Sequence, residues 1–219
     1  MKKILEKTIK NKLIFIFDFD GVIIDSMQLK GKVFSDIFTK ENFYRKKIET
    51  YHLRNGSKNR TLKIKYIANK ILKLNIKNKN KFYGEKLEKF DKIYNKNLNK
   101  IKLISGIKKY LKKIKKDNNK KIYIVTAAPK KEVIKILKIN KIFSFFNDIY
   151  DVNIEKEKAI LKIIKKYSDI DLYKFIFFGD SPKDFIASKK NKIDFCSLLT
   201  NKLSTLKNKK TFAKIYDFK

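Results

Sequence analysis

Hydrophobic residues recur along this chain in two different periods, and the order in which the periods appear predicts its organisation. Residues 13–26, LIFIFDFDGVIIDS, open as an unbroken run of β-formers that ends in Asp-Phe-Asp-Gly, the pattern of a buried strand. From residue 27 to residue 100 the apolar positions fall instead at helical spacing. Val33, Phe34, Ile37 and Phe38 form one stripe, Ile64, Ile67, Ala68, Ile71 and Leu72 a second, and Leu87, Phe90, Tyr94 and Leu98 a third, with Gly56-Ser57 punctuating the interval. The two patterns then alternate. A helix with Ile107, Tyr110, Leu111 and Ile114 on one face precedes a short strand at 122–125, and a helix near 132–139 precedes a strand at 148–152. Ala159, Ile160, Ile163, Ile164 and Tyr167 form the inner face of another helix, followed by strands at 175–178 and 195–199. Alternation of this kind predicts an α/β fold, a doubly wound parallel sheet with helices on both faces. The helical stretch predicts an inserted unit, so the expected division is a core of residues 1–26 and 101–219 with an all-helical insertion at 27–100.

Composition narrows the class. Of the 219 residues 43% are hydrophobic and 36% charged, enough for a packed core. Cys196 is the single cysteine, so neither an intramolecular disulfide framework nor a Cys/His zinc cluster is available. The apolar run near the N-terminus is cut by Asp18, too early for a signal segment or a membrane span, and the chain reads as cytoplasmic. The net charge of +34 is carried almost entirely by Lys, with Arg only at 45, 54 and 60. Lysines are spread over nearly every segment alongside abundant Asn and Ile. That bias reads as compositional, not as a dedicated nucleic-acid surface, whose readers favour Arg.

Chemistry concentrates at strand ends. Side chains alternate along a strand, so Asp18 and Asp20 share one face and form one site. Gly21 follows at once, where backbone N–H groups could close on an anion. Thr126 ends the next core strand, and Asp180 follows Gly179 at the end of a third. In a doubly wound sheet such ends line one crevice. Ser181, Pro182 and Asp184 read as the N-cap, first turn and acidic third position of a helix.

Four motifs in this order, DFDGV at 18–22, Thr126, a lysine near 158 and GDSPKD at 179–184, resemble those of the haloacid dehalogenase superfamily, in its phosphatase branch. The resemblance covers essentially the whole chain. FDFDGVIIDSM, YHLRNGSKNR and FFGDSPKD are most similar to the capped phosphoglycolate-phosphatase-like hydrolases. It implies a Rossmann-like core with a helical cap and Mg2+ held by the Asp18 side chain, the Asp20 backbone carbonyl and Asp180, with Asp184 in support. Oxygen-only donors suit such a hard ion, which would also relieve repulsion among the carboxylates. It further implies Asp18 as nucleophile, Asp20 as general acid and base, and Thr126 and Lys158 as holders of the phosphoryl oxygens, with backbone donors around Gly21 and Ala127. Lys158 is chosen for its place before Ala159-Ile160-Leu161; Lys156 competes with it. Ala127 stands where many relatives carry Ser or Asn, and Ser105 where many carry Pro. The dehalogenases themselves lack an acid equivalent to Asp20, so its presence points to phosphoryl transfer.

Within the insertion, Arg54, Asn55, Ser57 and Arg60 place donors around Gly56. They would meet the non-reacting end of a substrate, or else Gly56 ends one helix while Ser57 caps the next. His52, the only histidine, reads as a packing or surface residue. The expected protein is a Mg2+-dependent phosphatase of a small phosphorylated metabolite, a monomer or homodimer with no specific nucleic-acid or membrane partner. A phosphomutase resembling β-phosphoglucomutase and a non-catalytic basic binding module are the alternatives.

Overall fold

The computed structural model describes residues 6–7, 10–56, 58–199, 206–207 and 209–219, and the chain falls into two compact units, Met1–Asp25 with Lys102–Lys219, and Ser26–Ile101. The first is built on a six-stranded parallel sheet. Its strands are β1 (Ile14–Phe17), β4 (Lys121–Val125), β5 (Asp148–Tyr150), β6 (Phe175–Gly179), β7 (Asp194–Leu198) and β8 (Ala213–Ile215), in the spatial order β5-β4-β1-β6-β7-β8. Successive strands run outward from β1 to one edge and then from β1 to the other, so β1 is the switch point of the winding.

The sequence of β1, IFIF, explains its central place. All four residues are fully buried, as a strand covered on both faces requires. Ile14 and Ile16 face a cluster that includes Tyr123, Val125, Phe175 and Phe177 and the helix residues Ala159, Ile160, Ile163 and Ala187. Phe15 and Phe17 turn the other way. Phe17 stacks on Phe178 with ring centroids 4.6 Å apart, and Tyr110 and Phe218 close around the pair. The covering helices are α5 (Ile107–Lys115), α6 (Lys130–Ile139), α7 (Lys156–Lys166) and α8 (Pro182–Lys190). Phe17 is level with Ile124 and with Phe178, so the carboxyl ends of β1, β4 and β6 lie side by side.

A two-residue antiparallel ladder, β2 (Ile24–Asp25) with β3 (Lys102–Leu103), ties together the points where the chain leaves and re-enters this unit. Such short strands, and β8, carry no period that a sequence could display.

The second unit is helical: α1 (Met27–Asp36), α2 (Asn42–Arg54), α3 (Arg60–Tyr66) running on into a π-helical turn at Ile67–Ile71, and α4 (Lys79–Lys96). The stripes read from the sequence supply its core, with Val33, Phe34, Ile37, Ile64, Ile67, Ala68, Phe90 and Tyr94 all buried and Phe34 packed 4.5 Å from Phe90. His52 is buried in it, its ring 5.1 Å from that of Phe34 and its Nδ1 3.2 Å from Lys63 Nζ. Among the described residues no helix is long and apolar enough to cross a membrane.

Candidate active site

Asp18 is the residue after β1, and strand alternation puts it on the side of Ile14 and Ile16, toward α7. Its carboxylate is buried. Oδ1 accepts from the Phe19 amide at 2.7 Å and Oδ2 meets Lys156 Nζ at 2.8 Å. Lys156 opens α7 and bridges to a second acid, its Nζ lying 2.5 Å from Asp184 Oδ1.

Asp184 has no exposed surface, and the first turn of α8 fixes it. Ser181 Oγ donates to Asp184 Oδ2 at 2.6 Å, the Ser181 N–H donates to the same oxygen at 3.0 Å, and the Asp184 N–H returns to Ser181 Oγ in a reciprocal capping box. One carboxylate oxygen thus caps a helix while the other faces Lys156. Asp180 follows β6, and one oxygen each of Asp18, Asp180 and Asp184 lie within 4.8 Å of one another. Glycines make the crowding possible. A Cβ on Gly21, which has φ +79°, would collide with the Asp180 carboxylate, and one on Gly179 would run into the Asp184 side chain.

The electrostatics follow from the packing. Burial pushes the Asp18 carboxyl up to about 7 against the pull of Lys156, with Asp184 and Asp20 adding to the rise. Burial, then the charges of Asp18 and Asp184, likewise hold Asp180 well above the carboxylate range. For Lys156 burial works downward, but Asp18 and Asp184 outweigh it and the ammonium is held charged. Three clustered carboxylates and one ammonium leave negative charge uncompensated. The residues fit a divalent cation: every donor is a carboxylate oxygen, as Mg2+ prefers, and the group is costly to ionise without one.

The remaining expected residues sit as follows. Thr126 follows β4 and is buried; its Oγ1 accepts from the Ala128 amide at 3.1 Å, which leaves the hydroxyl hydrogen as a donor at the sheet end. Ala127 beside it is half-buried. Asp20 is half-exposed in the turn after β1, bridged to Ile24. Of the backbone donors expected around Gly21, the Gly21 N–H itself donates to Ile24 O at 2.8 Å. Gly21 also contributes space.

Of the two competing lysines, Lys158 lies away from the carboxylates. Its side chain is 71% exposed and pairs with Glu155 at 3.3 Å on the outer face of α7. Two helical residues subtend roughly 200°, so Lys156 and Lys158 cannot face the same way, and Lys156 shares the inner face of Ala159, Ile160 and Ile163 at i+3, i+4 and i+7. That period was the available signal.

In the helical unit Arg60 pairs with Asp91 and lies 4.3 Å over the Phe90 ring, so its guanidinium is engaged there. Asn55 donates through Nδ2 to Tyr51 O at 2.9 Å, closing the end of α2. Arg54 is exposed at that helix end. Ser57 lies outside the described residues.

Comparison with known proteins bears on the fold. A structure from Clostridium difficile presented as a proposed phosphatase superposes with a TM-score of 0.76 at 21% identity, covering 95% of each chain. A "predicted phosphoglycolate phosphatase" from Haemophilus somnus gives 0.75 at 18%, covering 95% of this chain and 96% of that one. A Bacillus subtilis HAD-hydrolase bound to magnesium gives 0.74 at 15%, with the same coverage. At these identities the likeness is one of fold. No curated protein sequence matches. The family model for haloacid dehalogenase-like hydrolases matches residues 15–198, most of the chain, and the chain belongs to that family.

Proposed function

We propose that the protein is a phosphomonoesterase that hydrolyses a small phosphorylated metabolite through an aspartyl phosphate on Asp18. The observation that carries this reading is the Asp18 carboxylate, held at the end of β1 against Lys156 and beside Asp180 and Asp184. One Asp18 oxygen attacks phosphorus in line, the bond from phosphorus to the leaving oxygen breaks, and Asp20 gives its proton to that oxygen. Asp20, now a carboxylate, takes a proton from a water whose oxygen attacks the same phosphorus. The bond to Asp18 then breaks, releasing inorganic phosphate and restoring both acids. Lys156 and the Thr126 hydroxyl hold the phosphoryl oxygens, and Lys156 also favours the ionised form of Asp18. Mg2+, held by Asp18 and Asp180 with the Asp20 carbonyl, and with Asp184 in support, would neutralise charge on the phosphoryl group and on the carboxylates. The half-exposed turn position of Asp20 suits a group that exchanges protons with water.

The name of the Haemophilus structure puts phosphoglycolate, with other small phosphorylated acids and sugar phosphates, first in a substrate panel. Phosphate release with and without Mg2+ is the test. Mg2+-dependent release that Asp18→Asn abolishes supports the proposal; transfer of the phosphoryl group between positions of a sugar without net release would replace it with a mutase.

A further inference from the structure

The helical unit carries a concentration of chemistry of its own. A cleft of about 770 Å³ opens along α2 and α3, and its walls include Lys46, Lys47, Arg54 and Lys58 but no acidic residue. Lys46, Lys47, Arg54 and Lys58 are exposed, and among the described residues none of them has an ion-pair partner. Between them stand two flat aromatic surfaces. Tyr51 and Tyr66 stack on each other with centroids 4.2 Å apart and rings within 5° of parallel, and Lys58 Nζ lies 5.7 and 5.8 Å from the two rings. Phe43, 64% exposed, extends the apolar wall with Lys47 Nζ 4.1 Å over its ring.

Cations bunched around one cleft repel one another, and the arrangement is relieved by an anion of more than one charge. The stacked pair beside them, Tyr66 exposed and Tyr51 half-buried, adds affinity for a planar group, because bases stack on aromatic side chains. A volume of this size suits a ligand of a few dozen heavy atoms better than a bare phosphate. We propose that this cleft binds a nucleoside diphosphate, its base against the Tyr51–Tyr66 stack and its phosphates among Lys46, Lys47, Arg54 and Lys58. The site lies wholly within the helical unit and does not depend on the phosphatase reading.

The test uses full-length Asp18→Asn protein, which cannot turn over, in EDTA at near-physiological salt, with ADP as the probe in calorimetry. ADP is expected to bind at one site per chain. Lys46→Gln with Lys47→Gln, both solvent-facing and so safe for folding, is expected to weaken it about tenfold or more, the effect of losing charge-assisted contacts. Tyr66→Ala is expected to weaken ADP but leave pyrophosphate unchanged, and Lys156→Gln to leave ADP unchanged. The proposal is overturned if Lys156→Gln abolishes ADP binding while the cleft variants do not, since the ligand then sits in the carboxylate site. Pyrophosphate binding as tightly as ADP would overturn it by leaving only counterion attraction, and a single-stranded oligonucleotide binding more tightly than ADP would replace it with a nucleic-acid surface.

Discussion

Replacing Lys156 with methionine keeps the length of the side chain and removes its charge, so it isolates what the ammonium does. That ammonium lies 2.8 Å from Asp18 and 2.5 Å from Asp184 with its side chain only 11% exposed. Removing one partner of a buried ion pair costs about 3–5 kcal/mol. Asp18 and Asp180 can take up protons in response, which places the variant near the lower end, at about 3 kcal/mol at neutral pH. At roughly 2–4 °C per kcal/mol for a chain of this size, the metal-free melting temperature falls by about 6–12 °C. Catalysis suffers twice over. Asp18, already near 7 with Lys156 present, becomes harder still to ionise, and a cation on the phosphoryl oxygens is lost, a change worth about 10²–10³ in kcat. Lys158→Met, on the outer face of the same helix, changes stability by no more than about 0.5 kcal/mol and leaves turnover intact. Thermal melts in EDTA and phosphate-release kinetics with Mg2+ on the two variants check both halves. Full activity in Lys156→Met together with a dead Lys158→Met would refute the assignment.

Other perturbations follow from the same geometry. Gly21→Ala places a Cβ against the Asp180 carboxylate at a positive φ, and is expected to cost about 1–3 kcal/mol and most of the activity, read from denaturant melts and phosphate release. Ser181→Ala removes the cap that orients Asp184; a loss of about 1–2 kcal/mol is expected, with kcat reduced and KM little changed. The folded-state value of about 7 for Asp18 lies above its ordinary 3.8, so its contribution to metal-free stability is neutral below both values and becomes a penalty as pH rises from about 4 to about 7. Asp18→Asn is therefore expected to be more stable than wild type in EDTA at pH 8, with no such gain at pH 4; a gain that shrinks with rising pH would contradict the sign. Mg2+ at a hundredfold its dissociation constant is expected to stabilise the wild type by about 2.7 kcal/mol, checked as a rise in melting temperature that Asp180→Asn removes.

The parts of the molecule legible in its sequence are those written in a period. Four consecutive apolar residues ending in acids marked β1 and Asp18, and FIFFGD did the same for β6 and Asp180, because a strand buried on both faces has no polar position until it ends. Helical stripes gave the insertion for the same reason. The Ser181 capping box was legible because its partners are three residues apart. Lys156 was present in the same periodicity, yet the chain of lysines around it, each at home in solvent, masked the one that turns inward. What stayed hidden depends on partners far apart in sequence. The β2–β3 clasp is two residues long on each side, the Gly21 amide is taken by a local turn, and Arg60 is claimed by Asp91 thirty-one positions away.

The central claim is that Asp18 carries the phosphoryl group, and the most direct measurement is to trap it. Protein mixed with a turnover substrate and Mg2+ is quenched in acid, reduced with borohydride, which converts an acyl phosphate to the alcohol, and mapped by mass spectrometry. The account predicts reduction at Asp18 in the peptide spanning residues 13–26, in wild type and not in Asp18→Asn. Substrate turnover with reduction at another carboxylate, or with none at all under single-turnover conditions that trap the intermediate, would contradict it.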